Sequence, residues 1–186
     1  MNAQVRNSSP LIHIEHLTLQ LPPSIHGDAV AFPVDRAAAV KEAQRYTKIG
    51  DDLIHLPDDA TGHKAVLDSK FGIYRAVGVW PDAINAAATE ERIAELNASG
   101  YLGLTTWRQP TLEEEFGIAD HTKWNPACDK AFFPDVQPTY YRTSTPDPEP
   151  DSSYVFAVLF YRGGVGGLAR GNLAFCRPVA SVPARQ

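Results

Sequence analysis

Three groups of residues have the types and spacing that could do chemistry. The first is Tyr161-Arg162-Gly163-Gly164-Val165-Gly166-Gly167, with Arg170 and Asn172 just beyond it. A phosphate cradle needs G-x-x-x-x-G-K-[ST], and a dinucleotide loop needs a strand, G-x-G-x-x-G and a helix in succession. Neither pattern is present. The glycines therefore read as a tight turn between strands, with Tyr161, Arg162, Arg170 and Asn172 as ligand-binding groups that such a turn can present. The second group is Trp107-Arg108-Gln109-Pro110-Thr111, which holds an aromatic, a planar cation and a rigid turn within five residues. Here Trp107 reads as core, Arg108 as the partner of Glu113 or Glu114, and Pro110 as the turn; the guanidinium fork suits a carboxylate. The third is Trp80, Trp107 and Trp124, which could form a sugar-stacking platform, although core positions are the favoured reading for each.

Catalytic and metal chemistry find little support. His121 precedes Cys128 by seven residues, but neighbourhood in sequence does not make a nucleophile–base pair. There is no G-x-S-x-G elbow and no H-E-x-x-H helix. Glu113, Glu114 and Glu115 are explained by a solvated helix start. His13, His16 and His26 read as exposed histidines, and Asp51-Asp52 and Asp58-Asp59 as turns, because the alternating acids of a calcium loop are missing. Cys128 and Cys176 could form one bridge; two buried free thiols are favoured. The expectation is a protein with no catalytic residues, no metal and no cofactor.

Composition bounds the alternatives. The 186 residues can bury a core. A net charge of -5, without a basic run, argues against nucleic acid as a partner. No stretch approaches the ~18 apolar residues that membrane insertion needs, and Met1 to Pro10 lacks the apolar region of a secretory signal. A cytosolic protein, one exported without such a signal, or part of a particle assembled in the cytosol fits these features.

The elements that must position these residues form an α+β pattern. Residues 11–21 alternate as a strand and Pro33 to Lys48 reads as a helix, giving an N-terminal extension over 1–49 for docking or assembly. Ala65–Asp68 and Phe71–Tyr74 read as short strands. Asp82 to Ser99 carries Ile84, Ala87, Ala88, Ile93, Leu96 and Ala98 at helical spacing, with Pro81 in its first turn and Gly100 just past its end. Thr111 caps a second helix. Residues 139–143, 154–162 and 173–179 read as strands, the last two joined into a hairpin through the glycines. The segment 145–153 is an acidic, Pro-rich loop, and the tail from 181 is loose.

Four stretches in this order resemble the Lcl C-terminal domain family. Val66-Leu67-Asp68-Ser69-Lys70-Phe71-Gly72-Ile73-Tyr74 is similar to V-L-D-x-x-T-G-L-M-W, and Thr106-Trp107-Arg108-Gln109-Pro110-Thr111-Leu112-Glu113-Glu114 to D-W-R-L-P-T-x-x-E. Phe133-Pro134 with Tyr140 to Thr145 resembles F-P…Y-W-S-S-T, Arg142 standing at the Trp position. Phe156 to Phe160, Gly163-Gly164 and Cys176-Arg177-Pro178-Val179 resemble the closing A-x-x-V-x-F-x-x-G…V-R-P-V-R. The resemblance covers about residues 50–180 and implies a C-type-lectin-like fold. It implies a non-enzymatic role: binding a glycan, surface polymer or cell-surface receptor, with the face near Arg162, Arg170 and Asn172 engaged. A phage or tail-like particle, oligomeric through residues 1–49, is a setting consistent with it. The alternative is a structural subunit using the fold for protein–protein contacts. The calcium triplets of calcium-dependent lectins are absent, so calcium-mediated sugar binding is not expected.

Overall fold

The computed structural model describes residues 44–149 and 153–183, all within one compact unit, Val40–Gln186. The predicted strand at 11–21, His13, His16 and His26, most of the helix predicted from Pro33, residues 150–152 of the acidic loop and 184–186 of the tail lie outside the described residues.

Two antiparallel sheets confirm the α+β class. The larger has the order β1 (Tyr46–Ile49), β2 (Ala65–Asp68), β3 (Ile73–Ala76), β7 (Val179–Ser181). The smaller runs β4 (Tyr140–Pro146), β5 (Tyr154–Leu159), β6 (Gly164–Ala169). Helices α1 (Ala86–Ala98) and α2 (Leu112–Phe116) complete the domain.

The pairing register sorts the large sheet into two faces, because residues opposite one another in an antiparallel ladder share a face. Thr47, Leu67, Tyr74 and Ala180 align, as do Ile49, Ala65 and Ala76. This face packs on Leu96 of α1, Leu104 and Trp107. On the other face, Lys48, Val66, Arg75 and Val179 align, and Val66 packs with Phe133, Tyr141, Val158 and Phe160. A central sheet covered on both sides explains why all four residues of β3 are buried, the arginine included.

The elements depart from the sequence reading at three places. Tyr46–Ile49 is an edge strand, not the end of the predicted helix: Ile49 is fully buried and Tyr46 packs edge-on against Phe133 at 5.3 Å. Helix α1 starts at Ala86, not Asp82. Asn85 caps it by accepting from the Ala88 amide at 3.0 Å, while Ile84 is drawn into a bridge with Ala174. Its buried residues are Thr89 and Leu96, and Ala87 and Ala98 face water. Gly100 closes it with φ 63°, the left-handed value that the sequence required of it.

The third departure concerns the glycine run. Only Gly163 makes the turn, at φ 72°. Gly164, Gly166 and Gly167 are strand residues of β6. A methyl group at Gly166 would meet the Tyr140 ring at 3.4 Å, and one at Gly167 the Tyr154 ring at 3.5 Å, so both glycines lie beneath tyrosine rings at ordinary contact distance. The hairpin is therefore β5–β6. Residues 173–178 run alongside as isolated bridges, Ile84 to Ala174 and Tyr141 to Phe175, before β7 joins β3.

Candidate functional site

The buried polar groups of the domain form a structural frame. Asp68, with no exposure, accepts from Arg45 Nε and Nη2 (2.9 and 2.8 Å), from Arg75 Nε and Nη2 (3.0 and 2.8 Å) and from the Lys70 amide (3.1 Å). Burial pushes the carboxyl pKa up, but Arg45 and Arg75 overcome it and hold Asp68 below the usual carboxylate range. Arg177 donates to the Ala76 carbonyl at 2.8 Å and to Asp135 at 3.1 Å. Between Arg75 and Arg177 lies Glu115, 4.0 Å from each and fully buried. Desolvation raises its pKa to about 7 against the pull of the two arginines.

The Trp107–Thr111 unit belongs to this frame. Trp107 is 2 % exposed, with its indole donating to the Tyr101 carbonyl at 3.0 Å. Arg108 meets Glu114, one of its two expected partners, through two parallel bonds of 2.8 and 2.7 Å. Glu114 also accepts from the Thr111 amide at 2.7 Å, closing a capping box on α2. Pro110 is buried, and its carbonyl accepts from the Ser144 amide at 2.8 Å.

Neither thiol has the setting of a nucleophile. Cys128 and Cys176 are free and buried, and desolvation pushes Cys128 up to about 11 and Cys176 higher still. Among the described residues no cluster of His, Cys, Asp or Glu could hold a metal ion.

The candidate site lies at the β5–β6 turn. Loop 119–126 folds against the turn through backbone bonds from Asn125 to Tyr161 (3.0 Å) and from Ala127 to Phe160 (2.7 Å). His121 Nε2 donates to the Gly163 carbonyl at 2.9 Å. A methyl group at Gly163 would meet that nitrogen at 3.0 Å, so the glycine is needed for its approach as well as its φ. The result is an open cleft of about 480 Å³ lined by His121, Lys123, Trp124 and Arg162. Trp124 is 68 % exposed and stands edge-on to Tyr161 at 6.1 Å. Arg162 lies over the Tyr161 ring at 5.6 Å. Lys123 is committed to Asp120 and Asp129, at 3.2 and 3.5 Å, and the Asp120 hydrogen bond raises its pKa. Arg162 forms no ion pair among the described residues and is the cation left for a ligand.

The structure thus brings together Tyr161 and Arg162 but places Arg170 and Asn172 at the opposite end of the hairpin. Arg170 follows β6, whose six residues span roughly 20 Å. There the Asn172 backbone carbonyl accepts from Arg142 at 2.6 Å. Of the three tryptophans, Trp107 is core, Trp80 is half-buried against the α1 side of the large sheet, and Trp124 departs from its expected core position. The available signal was its setting: Asp120-His121-Thr122-Lys123 before it and Asn125-Pro126 after it leave no apolar neighbour in sequence to share a core with.

Fold and frame define an α+β module with an exposed aromatic and cationic shelf and a rigid, ion-paired interior. Residues 64–180 match the Lcl C-terminal domain, and the chain belongs to that family, a surface-associated class of module. No curated protein and no solved structure matches the chain.

Proposed function

We propose that the domain is a non-enzymatic binding module that takes a glycan or a cell-surface receptor on the shelf of Trp124, Tyr161 and Arg162. The observation that carries this reading is Trp124, held 68 % exposed by a loop bonded to the turn. An indole face left in water offers stacking area to the C–H face of a sugar ring. Arg162, beside it and without an ion pair among the described residues, supplies a fork of donors for hydroxyl, carboxylate or sulfate oxygens. A virion or tail-like particle, assembled through residues preceding the domain, is the setting in which such a module would serve adhesion. In this reading the domain needs no cofactor.

A second reading, a structural subunit, draws on β6. It is the end strand of its sheet, with Val165 46 % exposed and glycines either side, and so has a backbone edge available to another chain. Trp124→Ala and Arg162→Ala, assayed on glycan arrays and on cells with particle size recorded, separate the two. Loss of binding in both variants, with size unchanged, is the expected outcome; unchanged binding sinks the shelf, and a change in size alone favours the subunit. Arg170→Ala, at the far end of the hairpin, should bind like the parent.

A further inference from the structure

At the far end of the hairpin a narrower cleft of about 180 Å³ opens between the start of α1, Gln109, β4 and Arg170. Arg142 of β4 lines it and is 1 % exposed. The other two arginines buried as deeply, Arg75 and Arg177, each meet a carboxylate, at 2.8 and 3.1 Å. Arg142 has none. Its Nη2 donates to the Asn172 carbonyl, and its Nε and Nη1 have no hydrogen-bond partner among the described residues. Burial lowers its pKa, and the upward pull of Glu90 on the cleft wall does not offset it. Such a charge is costly unless something pairs with it.

The cleft around it is equipped for that pairing. Arg170 stands exposed at the mouth, and the Gln109 side-chain amide on the wall forms no hydrogen bond among the described residues. Ser144 points its hydroxyl at the Pro110 carbonyl, 3.2 Å away, and is already committed. We propose that this cleft binds a carboxylate, with Arg142 as the buried fork, Arg170 as the outer cation and Gln109 as a further donor. A guanidinium presents two planar edges that share Nη2, and only one of the Nη2 hydrogens goes to Asn172. One two-donor edge is therefore whole, and it matches a pair of coplanar oxygens. Glu90 on the wall disfavours a doubly charged tetrahedral anion more than a singly charged carboxylate. The volume admits a small acid or the acidic group of a larger ligand, since a water takes about 30 Å³.

The test follows the Arg142 Nε–H resonance of the full chain by ¹⁵N NMR during titration with sodium acetate, with sodium phosphate at matched ionic strength as the comparison. The expected result is a saturable shift with acetate, weakened about fivefold in Arg170→Ala, which loses one charge-assisted contact at an exposed position. Gln109→Ala should weaken it less. Both variants alter side chains that form no hydrogen bond or ion pair among the described residues, so the test does not depend on a stable Arg142 variant. No saturable shift, unchanged acetate affinity in Arg170→Ala, or tighter phosphate binding would each overturn the proposal. Shelf variants such as Trp124→Ala should leave the acetate titration unchanged, so failure of either site is distinguishable from failure of the other.

Discussion

Glu115 and Asp68 sit in the same buried frame with opposite electrostatics. Asp68 receives five hydrogen bonds, two from Arg45, two from Arg75 and one from Lys70, which outweigh desolvation. Glu115 is held at 4.0 Å from both of its arginines, and its oxygens receive no hydrogen bond, so desolvation wins. A carboxyl whose folded pKa is raised binds its proton more tightly in the folded state. Its contribution to stability is therefore complete below the ordinary 4.5 and is lost as pH rises to about 7. For Asp68, with a lowered pKa, the sense is reversed: its contribution is present at neutral pH and lost in acid. Glu115→Gln keeps the shape and removes the titration. Across pH 4.5 to 7.5, the parent should lose stability relative to Glu115→Gln by on the order of 3 kcal/mol, read as diverging thermal midpoints. Parallel curves would show that Glu115 stays ionised throughout.

At the scale of elements, α2 is the clearest test of how local sequence builds the frame. Five residues are too few for a helix to persist alone. The Thr111 hydroxyl accepts from the Glu114 amide at 3.2 Å, and the Glu114 carboxylate returns to Thr111 while holding Arg108. Thr111→Ala should cost about 1 kcal/mol in urea unfolding, the usual value of a lost cap. A cost near zero would mean that the Arg108–Glu114 pair alone fixes the helix start. This cap was legible in Thr111-Leu112-Glu113-Glu114, as were β2 and the left-handed Gly100, because each depends on neighbours in sequence; β3, read at Phe71–Tyr74, lies two residues on at Ile73–Ala76, since Gly72 belongs to the turn. What was not legible depends on partners distant in sequence. Tyr46–Ile49 follows an alanine-rich run and carries no break before it, so only its pairing with β2 makes it a strand. Gly164, Gly166 and Gly167 read as a turn until their pairing with β5 places them in a strand. Arg142 occupies a strand position that reads as ordinary, and only the crossing of residues 172–175 beside β4 buries it. Half of the candidate site, Tyr161 and Arg162, was legible from the turn; Trp124 joins them only through the loop that bonds to it.

For the whole molecule, β1 carries the described domain past the limit of the family match. The family match starts at residue 64, yet the sheet it describes is completed by a strand eighteen residues earlier in the chain. Residues 45–49 supply Arg45 to Asp68, the Tyr46 ring to Phe132 and Phe133 at 5.3 Å each, and the fully buried Ile49. Removing them would leave Asp68 with Arg75 and the Lys70 amide, open a cavity beneath Ala65 and Ala76, and expose the β2 edge. A chain beginning at residue 44 retains every one of these contacts, and one beginning at residue 50 retains none. The second should be less stable than the first in urea by at least about 4 kcal/mol, since truncating a buried isoleucine alone costs roughly 2–5. Hydrogen exchange at the Leu67 amide, which faces β1 opposite Thr47, should accelerate only in the shorter chain. Equal stability of the two would place β1 outside the cooperative unit and make the 64–180 segment sufficient by itself.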